Sequence, residues 1–170
     1  MNITNKLHPF ILVFFVFALS SIVGAQDHDH EQDENNSTHL HEWEIGGAVG
    51  IVYNVHESHT APGLHAHLLK NIGVEKRFGM GLGFETIIDE HQHFNFGIPL
   101  NYNTLKGFVF TITPGLLFKK ETNWEPGASV HFETLYEFMF EHFHIGPMLE
   151  IALSQNEVHF MLGIHLGLGW

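Results

Sequence analysis

The chain carries sixteen histidines and nineteen acidic residues, against seven Lys plus Arg and no cysteine. Imidazole nitrogens with carboxylate oxygens are the donor set of Zn²⁺ and its first-row neighbours, so the chemistry these residues could do is binding of Zn or another divalent transition metal. The lack of cysteine excludes disulfides, thiolate zinc sites and a Cys nucleophile. The donors fall into two groups. Asp27-His28-Asp29-His30, followed by His39 and His41, belongs to or borders a stretch, 26–38, with no hydrophobic residue. His-rich tracts of this composition bind metal, or serve only as a solvated linker. The second group contains pairs two residues apart: His65/His67, His91/His93 and His142/His144. On a strand, residues i and i+2 share a face and stand roughly 6.5–7 Å apart, so such a pair can bracket a metal with help from a neighbouring strand.

What must position these pairs is a run of strands. From Glu42 onward apolar and polar-or-small residues alternate, and the breaks fall at turn residues. The clearest stretch is the last, where Val158, Phe160, Leu162, Ile164, Leu166, Leu168 and Trp170 face one way. His159, Met161, Gly163, His165, Gly167 and Gly169 face the other. Eight such stretches are predicted, with the second running from about Leu64 to Val74 and carrying Lys70 on its apolar face. A bulge or a snorkelling side chain would accommodate that lysine. Short connections predict antiparallel neighbours, and Pro114 and Pro147 predict local irregularity in two strands because each lacks a ladder donor. The fold class read from the sequence is all-β, an eight-stranded antiparallel up-and-down β-barrel over 42–170, and a transmembrane β-barrel if its apolar face points outward.

Two segments precede it. Residues 1–25 read as a signal peptide: Lys6, the apolar run Phe10–Leu19, then small residues at Val23 and Ala25. Residues 26–41 read as a disordered His/Asp-rich segment, because with no apolar residue in 26–38 nothing offsets the entropy of ordering it.

Alternation leaves open which face is wet. If the apolar face pointed inward, the chain would be a soluble secreted or periplasmic barrel binding a small apolar ligand. Three features favour the opposite. The polar face is Gly, His, Asn and Glu with almost no Lys or Arg, unlike a solvated surface. Each apolar face holds five to seven large residues, which suits a bilayer-crossing strand of about 9–11 residues. Aromatics such as Trp43, Tyr102, Phe118 and Trp170 gather near strand ends, as interfacial girdles do.

With its signal segment, eight alternating stretches and the C-terminal Val158-His159-Phe160-Met161-Leu162-Gly163-Ile164-His165-Leu166-Gly167-Leu168-Gly169-Trp170, the chain resembles the small outer-membrane barrels of the OmpA/OmpX type. The resemblance covers about 42–170 and is one of pattern. It implies a Gram-negative outer membrane, both termini in the periplasm, a monomeric single-chain barrel, and contact with outer-membrane lipid and the outer-membrane assembly machinery. Outward loops would lie near 54–63, 89–93, 119–126 and 153–156. The histidine content and the short loops depart from that family, so its functions do not transfer.

In such a barrel the polar face becomes a lumen holding His65, His67, His93, His131, His142, His144, His159 and His165 with Glu44, Glu85, Glu133, Glu137 and Glu150. The candidate metal ligands are His28, His30, His39 and His41 in the tail, and His65, His67, His131, His144, His165, Glu85, Glu133 and Glu150 inside. His56 and His59, flanking Glu57, are a separate surface candidate. The competing expectation is a structural or adhesive barrel without ligand, in which His and Glu satisfy one another. Nucleic-acid binding is disfavoured by seven basic residues and a net charge of −12. Catalysis is not expected, because the apolar face offers Thr86, Thr134 and Tyr136 with no base to activate them. An aqueous pore needs about 16–18 strands.

Overall fold

A computed structural model describes residues 41–170, apart from 91, 105 and 156. The signal-peptide reading and the tail histidines His28, His30 and His39 lie outside the described residues. Ten strand segments run β1 (Trp43–Asn54), β2 (His59–Ile72), β3 (Phe78–Ile87), β4 (His93–Gly97), β5 (Leu100–Asn103), β6 (Phe108–Lys119), β7 (Pro126–Tyr136), β8 (Phe138–Phe140), β9 (Phe143–Ser154) and β10 (Val158–Gly169). Every pairing is antiparallel, and β10 pairs with both β9 and β1, which closes the sheet. β4 with β5, and β7 with β8, are each one strand with an interruption, so the barrel has eight strands.

The interruptions show where the two prolines act. Pro114 and Pro147 themselves lie inside the continuous strands β6 and β9. The register Gly97↔Gly115 and Leu100↔Ile112 sets Ile98 opposite Pro114, and the gap at Ile98-Pro99 falls there. The register Leu135↔Met148 and Phe138↔Ile145 likewise sets Tyr136 opposite Pro147, next to the gap at Glu137. A missing N–H breaks the ladder on the partner's side. The expected irregularity is thus absent from the strands that carry Pro114 and Pro147; the interruptions lie opposite them, the first at Pro99, which also lacks an N–H.

Large apolar side chains face outward along the strands: Ile51 is 66% exposed, Leu82 70% and Leu162 67%. The inward face carries the polar and small residues, with Val52, Ile87, Leu135, Met148 and Met161 packed among them. This orientation corrects the soluble-barrel alternative, which needed an inward apolar face. Aromatic contacts band both ends, with Phe78–Tyr102, Phe108–Tyr136 and Phe140–Phe143 near the termini and Phe94–Trp124 at the far rim. Trp43 and Trp170 exchange backbone hydrogen bonds of 3.0 and 2.9 Å where the chain closes on itself.

Two local readings are corrected, and the choice left open at Lys70 is decided for the snorkelling side chain. β2 starts at His59, five residues earlier than expected, because the β1–β2 hairpin keeps its register out to Asn54↔His59. The first far-side connection is accordingly only residues 55–58. Lys70 causes no bulge: it pairs in register with Trp43, lies 5.0 Å over the Trp43 ring and reaches Glu42 Oε1 at 3.6 Å. Its stem thus covers apolar surface while the ammonium leaves it at the rim. His142 does not face the lumen. Phe140 pairs with Phe143, so Glu141-His142 is the hairpin turn and His142 is exposed.

Candidate metal centre

Besides His93 on β4, strand alternation delivers six imidazoles and five carboxylates to the interior. Glu44 comes from β1, His65 and His67 from β2, Glu85 from β3, His131 and Glu133 from β7, His144 and Glu150 from β9, and His159 and His165 from β10, while Glu137 sits at the β7–β8 interruption. The partners the structure gives these carboxylates are imidazoles. A buried carboxylate requires a partner of this kind, since an unpaired one costs several kcal/mol.

The donors form three groups whose ligand atoms lie within 4.8 Å of one another: Glu85, His131, Glu150 and His159; His65, Glu133 and Glu150; and Glu44, His144 and His165. In the first, His131 Nδ1 stands 2.8 Å from Glu85 Oε2 and 2.9 Å from Glu150 Oε1, and His159 Nε2 lies 3.4 Å from Glu85 Oε1. All four residues are buried. Ligands of a tetrahedral ion bonded at about 2.0–2.2 Å stand roughly 3.3–3.6 Å apart, so a small side-chain contraction suffices. A cavity of about 10 Å³ borders this group, lined by Glu85, His93, Asn95, Ser129, His131 and His159 among others.

A second layer holds the His131 ring. Ser129 Oγ donates to Asn95 Oδ1 at 2.7 Å, and Asn95 Nδ2 donates to His131 Nε2 at 3.0 Å. In that arrangement Nδ1–H points between the two carboxylates. Turning the Asn95 amide over makes its oxygen accept Nε2–H and leaves a lone pair on Nδ1, the tautomer a metal requires. Replacing Asn95 with Leu should weaken metal affinity by about 10–100-fold without removing a ligand. Calorimetric titration of the variant against the unaltered barrel measures this.

The third group is built differently. Glu44 Oε1 lies 3.1 Å from His67 Nε2 and 3.4 Å from His144 Nε2, and His144 also reaches Glu137 at 3.3 Å. His165 stacks between His67 and His144 with ring centroids 5.1 and 5.2 Å away. Two glycines make room for this stack. A Cβ at Gly46 would meet His67 Nε2 at 2.5 Å and His165 Nε2 at 2.7 Å, and one at Gly167 would collide with the His144 ring. Gly46→Val should therefore cost about 1–3 kcal/mol by overpacking, while Gly127→Ala, whose nearest atom would be 3.8 Å away, should be tolerated. Denaturant unfolding in micelles compares the two.

Of the residues expected from the sequence, His131, Glu85 and Glu150 meet in the first group. His65 and Glu133 meet with Glu150 in the second, and His144 and His165 in the third beside His67. His41 joins none of the three: its Nε2 donates to the Glu141 carbonyl at 2.8 Å, and its ring faces His142 at 5.0 Å. His56 and His59 are exposed, and His93 is inward and 3.7 Å from Asp89. The ligand sets also include His159 and Glu44, which the sequence placed inward without singling them out. The supporting residues Asn95, Ser129 and Gly46 gave no signal of their own, since their role depends on which strands become neighbours.

Several solved structures resemble the chain, two of them as follows. A de novo designed transmembrane β-barrel matches with a TM-score of 0.53 and 11% identity over 74% of this chain and 95% of that one. Neisserial surface protein A (NspA) matches with a TM-score of 0.51 and 5% identity over 75% of this chain and 96% of that one. No protein-family model and no curated protein sequence matches. At such identities the likeness is one of fold. The chain has the fold of a small, closed eight-stranded antiparallel β-barrel, the fold of the transmembrane barrels it is similar to.

Proposed function

We propose that this protein resides in a Gram-negative outer membrane and binds a divalent transition metal, Zn²⁺ or a neighbour, inside its barrel. The observation that supports it best is the group Glu85, His131, Glu150 and His159: four buried donors from four strands with ligand atoms within 4.8 Å. Two nitrogens and two oxygens around one point form a borderline donor set for Zn²⁺. Closed four-ligand sites of this kind are structural or sequestering, and the narrow eight-stranded lumen suits binding or sensing better than bulk transport. The lipid and the assembly machinery implied by the resemblance are its proposed partners, and the His-rich tail is a proposed auxiliary donor.

The test is calorimetric titration of the refolded barrel, residues 42–170, with Zn²⁺ and Cu²⁺. Binding tighter than about 10⁻⁴ M, some 5.5 kcal/mol, is the expected result. Weaker or absent binding overturns the lumenal metal and favours the ligand-free structural interior. Membrane fractionation and a heat-dependent gel shift of the full chain test the location.

A further inference from the structure

Glu150 belongs to two of the three donor groups, and its two oxygens face different histidines. Oε1 lies 2.9 Å from His131 Nδ1, and Oε2 lies 3.7 Å from His65 Nδ1. The carboxylate is 0% exposed and sits on β9 between β7 and β10, which carry His131, Glu133 and His159. His65 Nδ1 also approaches Glu133 Oε2 at 3.3 Å.

A second observation concerns the hydrogen bonding of these same atoms. His65 Nδ1, Glu133 Oε2 and Glu150 Oε2 are all buried and make no hydrogen bond among the described residues. Their side chains are 9%, 5% and 0% exposed. Buried polar atoms are nearly always satisfied, and these three meet only one another, at 3.3 and 3.7 Å, which leaves their bonding capacity open to a ligand between them. The three are the ligand atoms of the second group.

We propose that the lumen binds two divalent transition-metal ions bridged by Glu150. The first ion takes Glu85 and His131 with His159 and Glu150 Oε1, filling four positions. The second takes His65, Glu133 and Glu150 Oε2, which leaves a fourth position open to water or an exchangeable ligand. A carboxylate that spans two ions holds them about 3.5–4 Å apart. Three carboxylates offset most of the charge of two dications, and a hydroxide at the open position offsets the remainder. This inference rests on the first group being a metal site, and it adds the second ion and the bridge.

Cu²⁺ alone, loaded to saturation into the refolded mature chain, distinguishes the outcomes by electron paramagnetic resonance. Two Cu²⁺ ions at that separation couple and give a half-field signal, whereas isolated ions do not. The unaltered protein should show this signal. His65→Ala and Glu133→Gln should each abolish it and leave an uncoupled Cu²⁺ spectrum. His144→Ala, in the separate Glu44 group, should retain it. Each variant is first checked for its heat-dependent gel shift, and two lesions in the second group keep the test available if one fails to fold. Bound but uncoupled Cu²⁺ in the unaltered protein overturns the bridged pair, and leaves the single site standing if that spectrum is lost in His131→Ala. A half-field signal that survives both His65→Ala and Glu133→Gln also overturns it. No retained Cu²⁺ overturns both this inference and the function it builds on.

Discussion

Replacing His131 with alanine should weaken Zn²⁺ binding by more than the roughly 10–100-fold that loss of an outer-shell partner costs. His131 Nδ1 is the atom nearest both carboxylates of the first group, at 2.8 and 2.9 Å, so its loss removes a ligand and the group between Glu85 and Glu150. The same change should destabilise the metal-free barrel. Two buried carboxylates would then face each other across the space the ring occupied, and breaking a buried pair in this way costs about 3–5 kcal/mol. Titration measures the first effect and denaturant unfolding the second. A tail-located site predicts a different pattern, in which affinity is unchanged in His131→Ala and falls when residues 26–40 are removed.

Leu162→Arg should destabilise the folded barrel in a bilayer by about 2–4 kcal/mol, the cost of a cation on the lipid face near the midplane. Leu162 lies near the middle of β10, is 67% exposed, and pairs with Ile51 on β1 and Leu149 on β9. On a water-soluble protein an exposed Leu to Arg change falls within about ±0.5 kcal/mol. His56→Arg in the 55–58 connection serves as the control, with little expected effect. Folding in lipid vesicles followed by denaturant titration gives both values, and equal stability for the two variants would contradict the lipid-facing assignment.

The sequence carried the architecture well because a transmembrane strand writes its two faces in alternation. β10 is legible residue by residue, from Val158 to Gly169. It was less informative where local residues obey the pattern but the turn overrides it. His142 has the right parity for the lumen, and only the Phe140↔Phe143 pairing shows that it turns outward. His59–Gly63 lacked a large apolar face, so its membership in β2 followed from pairing with β1 alone. The strands carrying Pro114 and Pro147 are continuous, contrary to expectation; the interruptions lie across the sheet, at Ile98-Pro99, where Pro99 itself lacks a donor, and at Glu137.

For the candidate site, alternation could say that His and Glu point inward but not which of them meet. That depends on how far each strand is staggered against the next, a property of the closed barrel. Hence one inward set in the sequence became three groups, with Glu150 shared by two of them. His159 entered the first group because β10 closes against β9, opposite Ala152. Gly46, which admits the His67 and His165 rings, looked like any other small lumenal residue until the neighbours were known.

The most direct measurement is X-ray absorption at the zinc edge on the refolded barrel, residues 42–170, loaded with one equivalent of Zn²⁺ and desalted. The account predicts retained zinc with imidazole nitrogens at about 2.0–2.1 Å and carboxylate oxygens at about 2.0–2.2 Å, four ligands in all. A sample that loses its zinc on desalting, or shows a shell of water oxygens without imidazole scattering, would contradict it.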